Sequence, residues 1–132
     1  ALGEEAGLFV RGSWNDGRSE TYAFAEIERS VSAGLTLQGR AWRRDGDTLG
    51  LAVVVNGLSA AHRAYLAAGG LGAFIGDGRL DYRPEAIAEA YYRVAVAPWA
   101  DLSLDVQHIA NPGYNRARGP VEVGSLRLHI HY

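Results

Sequence analysis

The sequence predicts an all-β fold, an antiparallel β-barrel segment of about six strands with one short helix in a long loop. Six segments alternate between apolar and polar residues, as strands with two different faces do. The connections between them alternate between short and long. Glycine takes 17 of the 132 positions, beside 7 Tyr and 3 Trp, and glycine at roughly twice its usual share of about 7% favours strands and turns over packed helices.

The longest alternation covers residues 27–42 and predicts one strand of about sixteen residues, against a usual length of about 5–6. One face is small or apolar, with Arg29 near one end as its only charge. The other face is mostly polar and carries Glu28, Ser30, Ser32, Gly34, Thr36, Gln38, Arg40 and Trp42.

Five further strands are predicted, at 8–14, 49–56, 87–96, 102–109 and 123–132. Short turns at 43–47, with an Asp-Gly turn signal, and at 97–100 alternate with longer connections at 15–26, 57–85 and 111–120. Short turns at one end and long loops at the other are typical of a transmembrane β-barrel. A soluble meander can share this layout.

The long connection contains a predicted helix. Ser59 is a suitable N-cap, the alanines up to Ala68 favour helix, and Gly69 suits the left-handed position that ends one. The favoured interpretation is a surface helix in a loop. The alternative is a loop that folds inward and narrows a pore.

Composition excludes several classes of protein. Thirteen basic residues against fifteen acidic ones give a net charge of −2, without the basic surplus of a nucleic-acid-binding protein. The absence of cysteine removes disulfides and thiolate chemistry. No apolar run is long enough for a transmembrane helix. Because the chain lacks Met even at position 1, we expect a processed or truncated chain.

Several short motifs resemble the C-terminal part of the carbohydrate-selective porins of Gram-negative outer membranes. They are 7–11, 32–35 with 39–40, 47–52, 56–59, 89–92, Gln107 with 111–112, and 126–129. The resemblance implies a sixteen-stranded barrel that passes sugars by diffusion, without catalysis or cofactor. It also implies a bacterial outer-membrane location, with lipid and small sugars as partners. Porins often trimerise, so a homotrimer is a further expectation, although no residue identifies a trimer contact.

Six strands are too few to close such a barrel, since single-chain bacterial barrels start at eight. We therefore expect residues 1–132 to be one domain, the C-terminal portion of a barrel and a fragment of a longer chain. Completion by other copies or chains is the alternative. The alternating Leu126, Leu128, Ile130 and Tyr132 resemble the terminal strand of outer-membrane barrels, which ends in an aromatic residue.

The resemblance assigns the apolar face to lipid and the polar face to a water-filled lumen. An aqueous lumen tolerates charges that a dry core does not. Trp14, Tyr92 and Tyr132 then suit the interfacial girdles. The candidate channel-lining residues are Arg11, Glu28, Gln38, Arg40, Trp42, Glu89, Tyr91, Arg93, Asp105, Gln107, Arg127 and His129. Any of them can instead pair across strands and stiffen the wall. Both signs of charge occur, so strong ion selectivity is not indicated.

Two other functions remain open. A soluble β-barrel for a small apolar ligand would reverse the faces and enclose Leu35, Leu37, Val53 and Leu128. A barrel for polysaccharide export would keep the faces as assigned.

Catalytic and metal sites are not expected. His129 and His131 share one face of a strand, but no carboxylate neighbours them in the sequence, so no metal is predicted. His108 and Ser103 fall on opposite faces of one strand and do not form a catalytic pair.

Overall fold

A computed structural model describes residues 5–19 and 26–131 of the chain. Their strands form one antiparallel sheet, ordered as in the sequence. The strands are β1 (Ala6–Trp14), β2 (Arg29–Gln38), β3 (Thr48–Gly57), β4 (Glu85–Ala97), β5 (Ala100–Ala110) and β6 (Val121–Ile130). Residues Ala60–Ala67 form an α-helix, α1. The all-β prediction is confirmed. The sheet is open, with β1 and β6 at its edges, as expected for part of a larger barrel.

The connections divide by length between the two ends of the sheet. At one end, residues 39–47 join β2 to β3, and residues 98–99 join β4 to β5. We call this the short-turn end. At the other end lie the connections 15–28, 58–84 and 111–120, of which residues 20–25 are outside the described part. The predicted separation of short turns from long loops is therefore confirmed.

The predicted sixteen-residue strand is wrong, because the chain turns after Gln38. Residues 39–42 form a 3₁₀ helix. The turn is closed by the amide of Gly39, which donates to the Asp47 carbonyl at 2.9 Å, and by the amide of Arg44, which donates to the Gly39 carbonyl at 2.9 Å. Alternation alone did not reveal this stop, since residues 39–42 continue the apolar–polar pattern.

Asp47 joins this turn to the end of β4. Its carboxylate is almost fully buried and accepts hydrogen bonds from Arg44 Nε at 2.6 Å, the Tyr92 hydroxyl at 2.6 Å and the Ala95 amide at 3.1 Å. The hydrogen bonds from Arg44 and then Tyr92 are the main reasons why the pKa of Asp47 falls to about 2. A charged side chain thus fixes the short-turn end.

The apolar face is the more exposed face of the sheet. On β5, Leu104 and Val106 are 57% and 51% exposed, whereas Asp105 and Gln107, which alternate with them, are only partly exposed. A soluble domain shows the opposite pattern. Of the four residues that a soluble barrel would enclose, Val53 and Leu128 are exposed, and Leu35 and Leu37 are partly exposed. None of the four is buried in the described sheet, which differs from what the soluble alternative requires.

The helix prediction is confirmed. Helix α1 is capped by Ser59, whose hydroxyl accepts from the His62 amide at 3.1 Å, and Gly69 follows in the left-handed region with φ of 96°. Leu58 and Leu66 pack with Ile75 and Tyr114 into a small apolar cluster among the long loops.

Tyr132, and with it the predicted terminal aromatic signal, lies outside the described residues. Trp14 is at the end of β1 and well exposed, at a position that suits an interfacial aromatic residue. No helix within residues 5–19 and 26–131 is long and apolar enough to cross a membrane.

Candidate functional site

The candidate site is the polar face of the sheet, which is richest on β4, β5 and β6. Cross-strand partners share a face, so the register decides which side chains meet. Glu89 on β4 pairs with Gln107 on β5, and Tyr91 pairs with Asp105. Arg127 on β6 is opposite Ser103, the residue that Arg93 faces from the other side. The alternation predicted from sequence therefore assembles a continuous polar surface.

Gln107 organises the middle of this surface. Its amide nitrogen donates to Glu89 at 3.0 Å and to Asp105 at 3.3 Å. Because a carboxylate only accepts, the amide bridges two like charges on neighbouring strands. The three side chains thus form a fixed polar group rather than independent, freely rotating chains.

Arg93 ties the polar face to the short-turn end. Its guanidinium donates to Asp101 at 3.3 Å and to the Thr48 hydroxyl at 3.1 Å. Asp101 is largely buried, and Arg93 is about half-exposed. These contacts agree with the interpretation that some polar residues brace the wall.

A groove of about 490 Å³ lies over these strands. Its lining carries both signs of charge, amide, hydroxyl and aromatic groups, and consists of Glu89, Tyr91, Arg93, Ser103, Asp105, Gln107, Ser125 and Arg127. Sequence reasoning missed Ser103 and Ser125 because only charged, amide and aromatic side chains were selected. Their place in the alternation was the signal that identifies them.

Aromatic rings on this face cover glycines of the adjacent strand. Tyr91 lies over Gly50, and a Cβ atom at Gly50 would collide with its ring. Phe9 covers Gly34 in the same way, and the Arg11 guanidinium lies 5.4 Å from the Phe9 ring centroid. The missing side chains allow the rings to lie close to the backbone, which gives the polar face flat aromatic surfaces.

Three predicted lining residues lie elsewhere. Glu28 precedes β2 and is 4% exposed; it accepts from the Ser59 amide and pairs with Nδ1 of His62 at 2.9 Å. Arg40 and Trp42 belong to the 3₁₀ helix beyond β2. The Trp42 indole donates to the Tyr92 hydroxyl at 2.8 Å, and Tyr92 belongs to the apolar face. The strand placement of all three was wrong because the strand is shorter at both ends.

The environment of Glu28 also sets its protonation. Burial by itself would raise the pKa of this carboxyl, but hydrogen bonds from Ser59 and the pairing with His62 outweigh it and lower the pKa. Glu28 thus fixes the start of α1 rather than lining the polar face.

The remaining candidates lie on the polar face as predicted. They are Arg11, Gln38, Glu89, Tyr91, Arg93, Asp105, Gln107, Arg127 and His129. Their arrangement offers hydrogen-bond donors and acceptors side by side. A sugar hydroxyl both donates and accepts, so this mixture suits a polyhydroxylated solute better than an ion of one sign.

The opposite face carries a shallow depression of about 530 Å³. Alanine, leucine and valine side chains make up most of its lining, among them Leu8, Leu35, Leu51 and Val53. It follows the middle of the exposed apolar face, and the paired side chains of His108 and Glu122 lie among its lining residues. The depression is thus part of the exposed apolar face.

The structure places both pairs of residues for which the sequence predicted no catalytic or metal site. Ser103 is on the polar face and His108 on the apolar one, where it pairs with Glu122 of β6, so the expected separation is confirmed. No carboxylate neighbours His129 and His131 in the sequence, but the sheet register brings the Asp101 carboxylate close to both. Asp101, His129 and His131 come within range of one shared metal ion.

Comparison with known families gives one result. Residues 3–132 match the family described as "Carbohydrate-selective porin, OprB family". No curated protein and no solved structure matches the chain. The family match confirms the resemblance seen in the short motifs, and it includes all six strands of the sheet.

Proposed function

Since the chain belongs to the OprB family of carbohydrate-selective porins, we propose that its strands form part of the wall of a passive outer-membrane channel for carbohydrates. The observation that carries the proposal is the reversed pattern of exposure. Apolar side chains of β3 and β5 are turned outward, while charged and amide groups surround a groove on the other face. Only a protein with lipid outside and water inside benefits from both faces.

The proposed mechanism is diffusion through weak and numerous contacts. Charged and amide side chains around Gln107 replace part of the hydration shell of a sugar, and the Tyr91 ring packs against the apolar side of a pyranose. Because no single contact is strong, a solute both enters and leaves. No step requires a cofactor or a catalytic group.

The open edges support the proposal that residues 1–132 are the C-terminal portion of a larger barrel. Among residues 5–19 and 26–131, β1 pairs with β2 alone and β6 with β5 alone. Hydrocarbon cannot hydrogen-bond the unpaired backbone groups of an edge strand. Further strands, from the same polypeptide or from other chains, therefore have to pair with both edges in the membrane. We propose the bacterial outer membrane as the location.

Cysteine scanning of β5 tests which face meets water. Residues 1–132 contain no cysteine, so each single substitution at Ser103, Leu104, Asp105, Val106 or Gln107 adds one thiol to this part of the wall, and the unsubstituted protein gives the background. In the full-length protein in membranes, a membrane-impermeant thiol reagent should label the cysteines at 103, 105 and 107 and spare those at 104 and 106. Labelling of the opposite set would overturn the assignment of faces.

Sugar flux is tested separately by liposome swelling with the full-length protein and neutral sugars of graded size. We expect swelling that slows with sugar size. Gln107→Ala should change the rates, because it releases the Glu89 and Asp105 carboxylates, while Leu104→Ala, on the other face of the same strand, should not. If no small sugar causes swelling, diffusion is not the function and polysaccharide export becomes the better explanation.

A further inference from the structure

We propose that Asp101, His129 and His131 form a binding site for a divalent transition metal ion of the zinc class at the short-turn end of β5 and β6. One ligand atom from each side chain lies within 4.8 Å of the other two. The site is tested separately from sugar passage, although His129 is also a candidate channel-lining residue and Arg93, which contacts Asp101, lines the groove.

The sheet register brings the three residues together. Asp101, near the start of β5, is the cross-strand partner of His129 near the end of β6. His131 follows two residues later on the same face, and its amide donates to the Trp99 carbonyl at 3.0 Å. That bond holds the end of β6 against the turn between β4 and β5. The Asp101 carboxylate is 3.9 Å from Nδ1 of His129 and 4.0 Å from Nδ1 of His131.

A backbone contact orients the His131 ring. Its Nε2 lies 3.0 Å from the Pro98 carbonyl oxygen, which only accepts hydrogen bonds. This contact places Nδ1 on the side of the Asp101 carboxylate, 4.0 Å away. A backbone carbonyl that orients the second ring nitrogen is the usual arrangement around metal-bound histidine.

Asp101 is the fixed member of the group. Its side chain is 12% exposed, against 64% for His129 and 46% for His131. Arg93 donates to Oδ2 of Asp101, the same oxygen that faces the two histidines. Tetrahedral coordination at about 2.1 Å separates ligand atoms by about 3.4 Å. The separations of 3.9 and 4.0 Å between Asp101 and the two histidines exceed this by about 0.5–0.6 Å, and all three ligand atoms lie within 4.8 Å of one another. Rotation of the two exposed imidazoles has to supply the difference.

The ligand set selects the class of ion. Two imidazoles and one carboxylate suit zinc, nickel or copper, whereas magnesium and calcium prefer all-oxygen sites. Three protein ligands leave a fourth position for water, because the histidines face solvent. The ion would join β5 to β6 and stabilise the end of β6 in the folded protein.

The test is equilibrium binding of Zn²⁺ to the full-length, chelator-treated protein in detergent micelles, followed by metal content after dialysis. His129→Gln and His131→Gln change two exposed side chains, and circular dichroism checks that each variant is folded. His108→Gln is the matched control, since His108 is an exposed strand histidine with its own carboxylate partner, Glu122. Loss of a ligand should weaken binding at least tenfold, since even supporting groups around a metal contribute 10–100-fold.

The expected result is one Zn²⁺ lost in each ligand variant and kept in His108→Gln, with no displacement of Zn²⁺ by excess Ca²⁺. Co²⁺ in place of Zn²⁺ should give visible absorption bands that disappear in His131→Gln. The proposal is overturned if the wild-type protein binds no Zn²⁺ at micromolar concentration, if the ligand variants bind as the wild type does, or if His108→Gln loses the ion equally.

Discussion

An arginine introduced at Val106 tests the orientation of the sheet most directly. Strand β5 has 11 residues, which at about 3.3 Å each span about 36 Å. A tilt of about 40–45° reduces this to about 26–28 Å, close to the apolar band of about 25 Å that barrels present to lipid. Val106 lies one residue from the centre of β5 and is 51% exposed on the apolar face. Its neighbour on β6 is Gly124, so a longer side chain meets no steric obstacle there.

The expected cost of Val106→Arg follows from this position. An arginine near the bilayer midplane on the lipid face destabilises a barrel by about 2–4 kcal/mol. Gln107→Arg is the matched control one residue away. It places the same side chain on the polar face beside the carboxylates of Glu89 and Asp105, which Gln107 already contacts, and should change stability by about 1 kcal/mol at most.

The assay is reversible urea unfolding of the full-length protein in phospholipid vesicles, followed by tryptophan fluorescence. The difference in unfolding free energy between the two arginine variants is the quantity of interest. Equal costs would mean that the two faces do not meet different solvents. A greater cost for Gln107→Arg would mean that the faces are reversed, as in a soluble barrel.

Three further predictions concern the ends of the sheet. The pKa of Asp47, at about 2 in the folded protein against 3.8 for the free side chain, means that this carboxylate stabilises the fold above pH 4 and that its contribution is lost as the pH falls toward 2. Unfolding measured from pH 6 to pH 2 should therefore show a steeper acid loss for the wild type than for Asp47→Asn, and parallel curves would contradict the assigned role. Gly39→Ala should destabilise the protein by about 1–3 kcal/mol, because the added Cβ atom would collide with the Arg44 carbonyl. Gly124→Ala is the control and should have little effect, since a Cβ atom there meets no atom within 4 Å. Similar urea unfolding midpoints for the two variants would refute this prediction. Ser59→Ala removes the N-cap of α1 and should destabilise the helix by about 1 kcal/mol, which is measured as faster amide hydrogen exchange in α1. Ser59→Thr is the control and should keep the protection of these amides. Unchanged exchange in Ser59→Ala would contradict the role of Ser59 as the cap.

The strands themselves could be predicted because their cause is local. Side chains alternate between two faces with every residue, so lipid on one side and water on the other leave a period of two in the sequence. That period identified β1, β3, β4, β5 and β6 to within a few residues. The helix in the long loop was equally accessible, since Ser59 and Gly69 mark its ends by their own conformational preferences.

The end of β2 could not be predicted, because it depends on partners distant in the sequence. Residues 39–42 keep an alternating pattern, yet the chain turns there to meet the Asp47 backbone, and Asp47 is held in turn by Tyr92 and Ala95 of β4. Glu28 was wrongly placed in the predicted site for the same reason, because its partner His62 is distant in the sequence. The alternation of apolar and polar residues contains no information about contacts with distant segments of the chain.

The sequence alone determined the division of the sheet into an apolar and a polar face, because consecutive side chains of a strand point to opposite faces. The tertiary structure alone decided which polar side chains meet. Cross-strand register placed Gln107 between two carboxylates and Asp101 beside His129 and His131. The register between strands is a property of the assembled sheet, because its hydrogen bonds join residues of different segments, and the sequence of one segment does not specify it.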